Sequence, residues 1–173
     1  MKKLLFVITG FLLVGAGCFQ KTPFVPEEND NINNDDGIGQ MTEGQNEVNS
    51  FINGEAIPVY ENGMLISIHS AEYANIYVTS PLPGSNIGNI LTIAGNARVF
   101  ENVVNYRIKD PSGAVIDSGF TTASASDVGQ YGPYEVTVDL STIAPQPLTV
   151  EVYWQSAKDG SDADLVSFIV NKQ

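Results

Sequence analysis

One histidine, His69, and one cysteine, Cys18, occur in the 173 residues, and that scarcity bounds the chemistry at once. A Ser-His-acid triad needs an imidazole to accept the serine proton, and His69 lies in a short strand-like run ahead of the main apolar region. Zinc needs several imidazole or thiolate ligands, which one histidine and one cysteine cannot supply. No serine begins an S-x-x-K motif, so the penicillin-recognising type of nucleophile is missing as well. Carboxylate pairs such as Asp162/Asp164 could act on a glycosidic bond only if a cleft held them at a defined separation. The sequence therefore predicts a protein that is not an enzyme and that needs no cofactor.

Metal and ligand binding leave more candidates. Asp159, Ser161, Asp162 and Asp164 could offer oxygen ligands to calcium, although Asp159-Gly160 also reads as an ordinary polar turn capped by Ser156. The Asn/Asp run from Asp30 to Asp36 fails the EF-hand spacing. Its second ligand position is Ile32 in one frame, and in the other Asp36 stands where glycine is required. We expect no metal site. The aromatic residues Phe100, Tyr131, Tyr134 and Tyr153, with Glu101 and Asp159, make a candidate surface for stacking on a glycan or anchoring a protein. Trp154 alternates with Leu148, Val150 and Val152 and is expected in the core.

The elements that must position these residues follow from composition. Phe19–Glu72 holds ten acidic residues against one basic residue, whereas Tyr73–Gln173 holds ten acidic and five basic residues with the long runs of Val, Ile, Leu and Tyr. The formal net charge of −12 argues against nucleic acid, since neutralising phosphates needs clustered Lys and Arg. It also argues against direct adsorption to anionic lipid or anionic wall polymer.

Residues 1–17 are ordered as a secretory signal: Met1-Lys2-Lys3, an apolar run from Leu4 to Val14, then Gly15-Ala16-Gly17. The apolar run is too short to span a bilayer. Val14-Gly15-Ala16-Gly17-Cys18 resembles a lipoprotein signal, with Gly15 in the place of the usual large aliphatic residue. The resemblance implies an acylated (for example palmitoylated) Cys18 and an anchor in the outer face of the bacterial cell membrane. It also accounts for a lone thiol in a secreted chain.

Residues 18–50 carry the lipidated cysteine and an acidic stretch without apolar period. Such a stretch cannot bury enough surface to offset its ordering entropy, so it is expected to be a disordered spacer. In 51–72, Ala56–Tyr60 and Met64–His69 could pair across Glu61-Asn62-Gly63, a hairpin turn signal. Such a hairpin would join the edge of the main domain or pack on it.

From 73 to 173, strand-like runs recur between turn residues: Asn75–Thr79, Ile90–Val99, Val103–Lys109, Ala114–Phe120, Tyr134–Leu140, Leu148–Gln155 and Leu165–Val170. Asp110-Pro111-Ser112-Gly113 is a strong turn between the third and fourth. Seven short strands without a helix predict an all-β, immunoglobulin-like antiparallel sandwich, with a partly open barrel as the alternative.

Three blocks carry a more specific likeness: Ile76–Ser85 (IYVTSPLPGS), Ile93–Glu101 (IAGNARVFE) and Ser156–Ser161 (SAKDGS). In that order they resemble the immunoglobulin-like domain of bacterial spore-germination and sporulation lipoproteins. The germination domain that often neighbours it has no counterpart in the short, polar segment Phe19–Glu72. The resemblance implies fold and location more than mechanism. The expected function is a lipid-anchored interaction module of the cell envelope, linked to sporulation or germination. Its partner would be an envelope protein, or peptidoglycan if the domain is a carbohydrate-binding module.

Overall fold

A computed structural model describes residues 43–173, which form two five-stranded sheets around one core. The chain enters through a short helix, α1 (Glu43–Ser50), and a hairpin of β1 (Ala56–Glu61) and β2 (Met64–Ser70). Asn62 and Gly63 turn that hairpin with φ of 51° and 77°. Two left-handed residues match the right-handed twist of the strands they join, which is why Asn-Gly suits this turn. Then follow β3 (Ile76–Ser80), β4 (Asn86–Ile87), β5 (Ile90–Ala97), β6 (Val103–Lys109), β7 (Val115–Thr122), β8 (Gly132–Asp139), β9 (Gln146–Gln155) and β10 (Asp162–Lys172). The first sheet runs β1-β2-β3-β5-β8 and the second β4-β10-β9-β6-β7.

Period-two alternation decides which side chains the sheets enclose. Ile68, Ile76, Val78, Leu91, Ile93 and Val138 come from the first sheet, and Val104, Ile108, Val150, Val152, Val166 and Phe168 from the second. Removing each from water contributes about 1.5–3 kcal/mol before chain entropy is set against it. The alternation in β9 is paired on both sides. Val150 faces Ile108 of β6 and Phe168 of β10, while Val152 faces Tyr106 and Val166. Trp154 is half-buried against this core, as its alternation requires.

All seven expected strands form, and separate five-stranded sheets make the architecture a sandwich and not a barrel. The hairpin forms too, and it extends the first sheet through Ile68 opposite Val78. Strand β4 escapes sequence reading because two residues are too few to alternate; it pairs in parallel with the end of β10. The last eight residues of the expected spacer, 43–50, are helical instead. The physical reason lies just downstream, where the Phe51 carbonyl accepts from Ile169 N at 2.8 Å and Ile52 bridges to Phe168. That docking fixes the C-terminal end of a helix which its own polar sequence would not hold alone. Cys18 and the rest of the expected spacer up to residue 42 lie outside the described residues.

Gly95 in β5 is a point of close approach. It sits opposite Tyr134 of β8, whose hydroxyl crosses it to donate to the Tyr77 carbonyl at 3.0 Å. A Cβ at Gly95 would stand 1.8 Å from the Tyr77 oxygen and 2.8 Å from the Tyr134 hydroxyl. Backbone cannot step aside as a side-chain tip can. Gly95→Ala is therefore expected to lower unfolding free energy by about 1–3 kcal/mol in urea denaturation, whereas Gly88→Ala, with open space around it, should leave it nearly unchanged.

Candidate functional site

Two of the nominated aromatics belong to the structure's own packing. Tyr134 is 4% exposed, on the inner face of β8. Burial pushes its phenol pKa well above the ordinary value, so it stays neutral and donates to Tyr77. Tyr153 is 7% exposed on the outer face of β9, with the Arg107 guanidinium 4.3 Å from its ring centroid. Neither is part of an open binding face. In Tyr134 the inward parity that it shares with Val138 decides; in Tyr153 the covering arginine, 46 positions away in sequence, does.

The outer face around Tyr153 neutralises itself. Glu151 accepts from Arg107 Nε and Lys109 Nζ at 2.6 Å each, and Arg107 Nη2 donates to Asp162 at 2.6 Å. Burial would lower the Arg107 pKa, but its hydrogen bonds to Asp162 and Glu151 outweigh that and raise it. These charges are spent on one another, which leaves little for a partner.

Phe100, 56% exposed, and Glu101 lie on a single 3-10 turn, Phe100–Asn102, in which Glu101 takes φ of 53°. They share a shallow cleft of about 290 Å³ with Gln155, Ser156, Ala157 and Gly160. Asp159 is on that same connection, but its carboxylate folds onto its own loop. It accepts from the Ser161 hydroxyl at 2.7 Å and the Ser161 amide at 3.1 Å, and these bonds hold its pKa below the usual carboxylate value. The four oxygens weighed for calcium are likewise dispersed: Asp162 faces Arg107, and Asp164 accepts from Trp154 and Asn75. Among the described residues no group of three or more His, Cys, Asp or Glu is placed to hold a metal ion.

Tyr131 stands at the head of a cluster that sequence reasoning did not assemble. Its hydroxyl donates to the Ala74 carbonyl, Arg98 lies 5.0 Å over its ring, and its edge meets Tyr77 at 5.8 Å. Tyr77 in turn tilts against His69 at 5.3 Å, their strands being registered there. His69 Nδ1 donates to the Ser70 carbonyl at 2.7 Å, so the imidazole is a packing partner in this cluster. Arg98, Phe100 and Val128 also border one apolar notch. Only strand register brings these residues together, and register is a long-range property.

The four sheet edges differ. On β1, Pro58 interrupts the row of amide donors, and β4 has only two residues. The edges of β8 and β7 meet at one end: Ser124 N, just past β7, donates to the Pro133 carbonyl at 2.8 Å, and Thr121 Oγ1 of β7 itself donates to the Glu135 carbonyl at 3.0 Å. Strand β7 is different. Eight residues long, it pairs only with β6. It exposes Val115 at 51% and Phe120 at 70%, and Asp117, which takes the Ser118 amide at 2.7 Å, is its one charged residue. Natural edges are usually blunted by Lys, Pro or a cover; here β8 meets β7 at Thr121, and the stretch from Val115 to Phe120 carries neither Lys nor Pro.

Residues 75–161, half of the chain, match the family described as the immunoglobulin-like domain of bacterial spore germination. The match runs from just before β3 to the end of the connection after β9. No curated protein matches the chain. The residues matched and the two-sheet all-β architecture agree, and the chain belongs to the family of immunoglobulin-like domains of bacterial spore germination.

Proposed function

We propose that this protein is a lipid-anchored interaction module on the outer face of the bacterial cell membrane. Its acidic segment spaces the domain from the bilayer, and β7 docks an extended segment of another envelope or spore protein. The observation that carries this reading is the open edge of β7, with its exposed Val115 and Phe120. An added strand would gain main-chain hydrogen bonds worth about 1 kcal/mol each, and exposed Val115 and Phe120 would give its side chains apolar contacts. Ten acidic against five basic residues in 73–173 favour a basic or neutral partner segment. The non-catalytic reading rests on the family and on the spent state of the charged clusters.

A second reading has one observation in its favour. The His69–Tyr77–Tyr131 cluster with Arg98 is an aromatic surface on one sheet, of the kind that stacks on sugars in a peptidoglycan-binding module. The two readings separate by experiment: pelleting of the protein with purified peptidoglycan, lost in Tyr131→Ala, would support the second.

Anchoring is tested by metabolic labelling with an alkyne analogue of palmitate. Label is expected on the wild-type chain and absent from Cys18→Ser, which should shift from the membrane fraction to the medium. Unlabelled wild-type protein would contradict the anchor. Docking is tested by cross-linking intact cells and purifying the full lipidated chain. The double variant Val115→Lys/Phe120→Lys changes exposed side chains, so its stability should stay within about 0.5 kcal/mol per site. Recovery of a discrete cross-linked partner should nevertheless fall by about tenfold or more, since edge lysines block strand addition. Undiminished recovery would contradict docking at β7.

A further inference from the structure

In a chain with 20 acidic and 8 basic residues, Arg98 is exposed and forms no ion pair among the described residues. Other cations there are spent: Arg107 and Lys109 are held by Glu151 and Asp162, and Lys172 is buried against Asn89. Arg98 is nevertheless fixed from several sides. Its guanidinium lies over Tyr131, 5.0 Å from the ring centroid, and the Tyr131 hydroxyl is itself tied to the Ala74 carbonyl. Nε and Nη2 donate to Asn75 Oδ1 at 3.3 and 3.0 Å, and the Arg98 amide donates to the Asn75 carbonyl at 2.8 Å.

Asn75 is set in turn by a buried carboxylate. A bulge in β10 between Ala163 and Val166 leaves Asp164 with φ of 52°, a left-handed conformation uncommon outside glycine but tolerated by aspartate. The residue is 2% exposed, and its Oδ2 accepts from Trp154 Nε1 at 2.6 Å and from Asn75 Nδ2 at 3.0 Å. A carboxylate only accepts and a guanidinium only donates. The Asn75 amide therefore has one orientation, nitrogen to Asp164 and oxygen to Arg98. A neutral amide orients the guanidinium without cancelling its charge, so the line of bonds from Trp154 ends in a cation that is held but unpaired.

Arg98 forms one wall of a notch of about 480 Å³ that Val99, Phe100, Val128 and Gly129 complete. Val128 is 94% exposed and Phe100 56%, and no carboxylate lines the space. Asn75 takes the Nε/Nη2 edge of the guanidinium, and Nη1 donates to no group among the described residues. We propose that this notch binds a short peptide by its terminal carboxylate, which pairs with the free edge of Arg98 while an apolar last side chain lies against Phe100 and Val128. Three features select that ligand. The two N–H groups of a guanidinium edge match the two oxygens of a carboxylate. A single cation suits a monoanion, whereas a phosphate dianion draws clusters of arginine, and the formal charge of −12 opposes further negative charge. The apolar walls reward a side chain that leaves water, and the volume admits a ligand of a few residues. The site depends neither on strand docking at β7 nor on sugar stacking.

The 15N-labelled full chain would be titrated with the peptide N-acetyl-Ala-Leu at fixed ionic strength. The Arg98 Nε–H resonance and the backbone amides of Val128 and Gly129 would be followed, and a saturable shift of all three is expected. The C-terminal amide of the same peptide, which has no carboxylate, should bind about tenfold more weakly or not at all. N-acetyl-Ala-Gly, which lacks the apolar side chain, should also bind about tenfold more weakly. Arg98→Lys keeps the charge but loses the fork and should weaken binding about tenfold, and Arg98→Gln should abolish saturation. Because Arg98 also packs on Tyr131, Val128→Ser provides an arm that leaves that contact alone. It should weaken binding about threefold with the melting temperature unchanged. A response that does not saturate, or equal binding of the C-terminal amide, would overturn the proposal. Tighter binding of inorganic phosphate than of the peptide, or undiminished binding by Arg98→Lys, would overturn it as well.

Discussion

Leu148, Val150 and Val152 of β9 point into the core, the latter two paired with a strand on each side, while Glu151, between them, holds Arg107 and Lys109 on the opposite face. Both faces of the strand specify the same register. A slip of one residue would carry three apolar side chains to solvent, each at a cost of about 1.5–3 kcal/mol. It would also drive Glu151 into the core without its cations, where an unpaired charge is strongly unfavourable. With β9 fixed, β6 and β10 are fixed beside it, and the second sheet has a rigid centre on which its outer strands are hung.

That centre determines where recognition can occur. The outer face over Tyr153 is consumed by the Arg107–Glu151–Lys109–Asp162 network. The inner face is core. What remains of the second sheet is its rim: β4, with two residues, and β7, with eight. In the first sheet Pro58 interrupts the edge of β1, and the edge of β8 meets β7 at one end. The proposed addition of a partner strand at β7 fits this arrangement.

Much of this was legible in the sequence because its signals are local. Alternation through Val104, Tyr106 and Ile108, or through Leu148, Val150 and Val152, needs only neighbouring residues, and Asn62-Gly63 names its own turn. The helix at Glu43–Ser50 was not legible, since Phe51 and Ile52 stabilise it by docking on β10, more than a hundred positions away. The candidate surface divided in the same way. Phe100, Glu101 and Tyr131 stand near solvent, as turn and strand-end residues should. Tyr153 was hidden by an arginine from another strand, and Tyr134 by the space that Gly95 leaves opposite it. The Asp164 bulge was beyond reach as well, because aspartate carries no sequence mark of a left-handed backbone.

Site-specific photo-cross-linking in intact cells would show whether β7 is the docking edge. A photoreactive residue would be placed singly at Phe120, at Val128, at Tyr131 and at Ile66 of β2, all exposed positions. A discrete protein adduct is expected from position 120 and none from 128, 131 or 66. An adduct from 131 or 66 with nothing from 120 would contradict docking at β7 and move recognition to the first sheet.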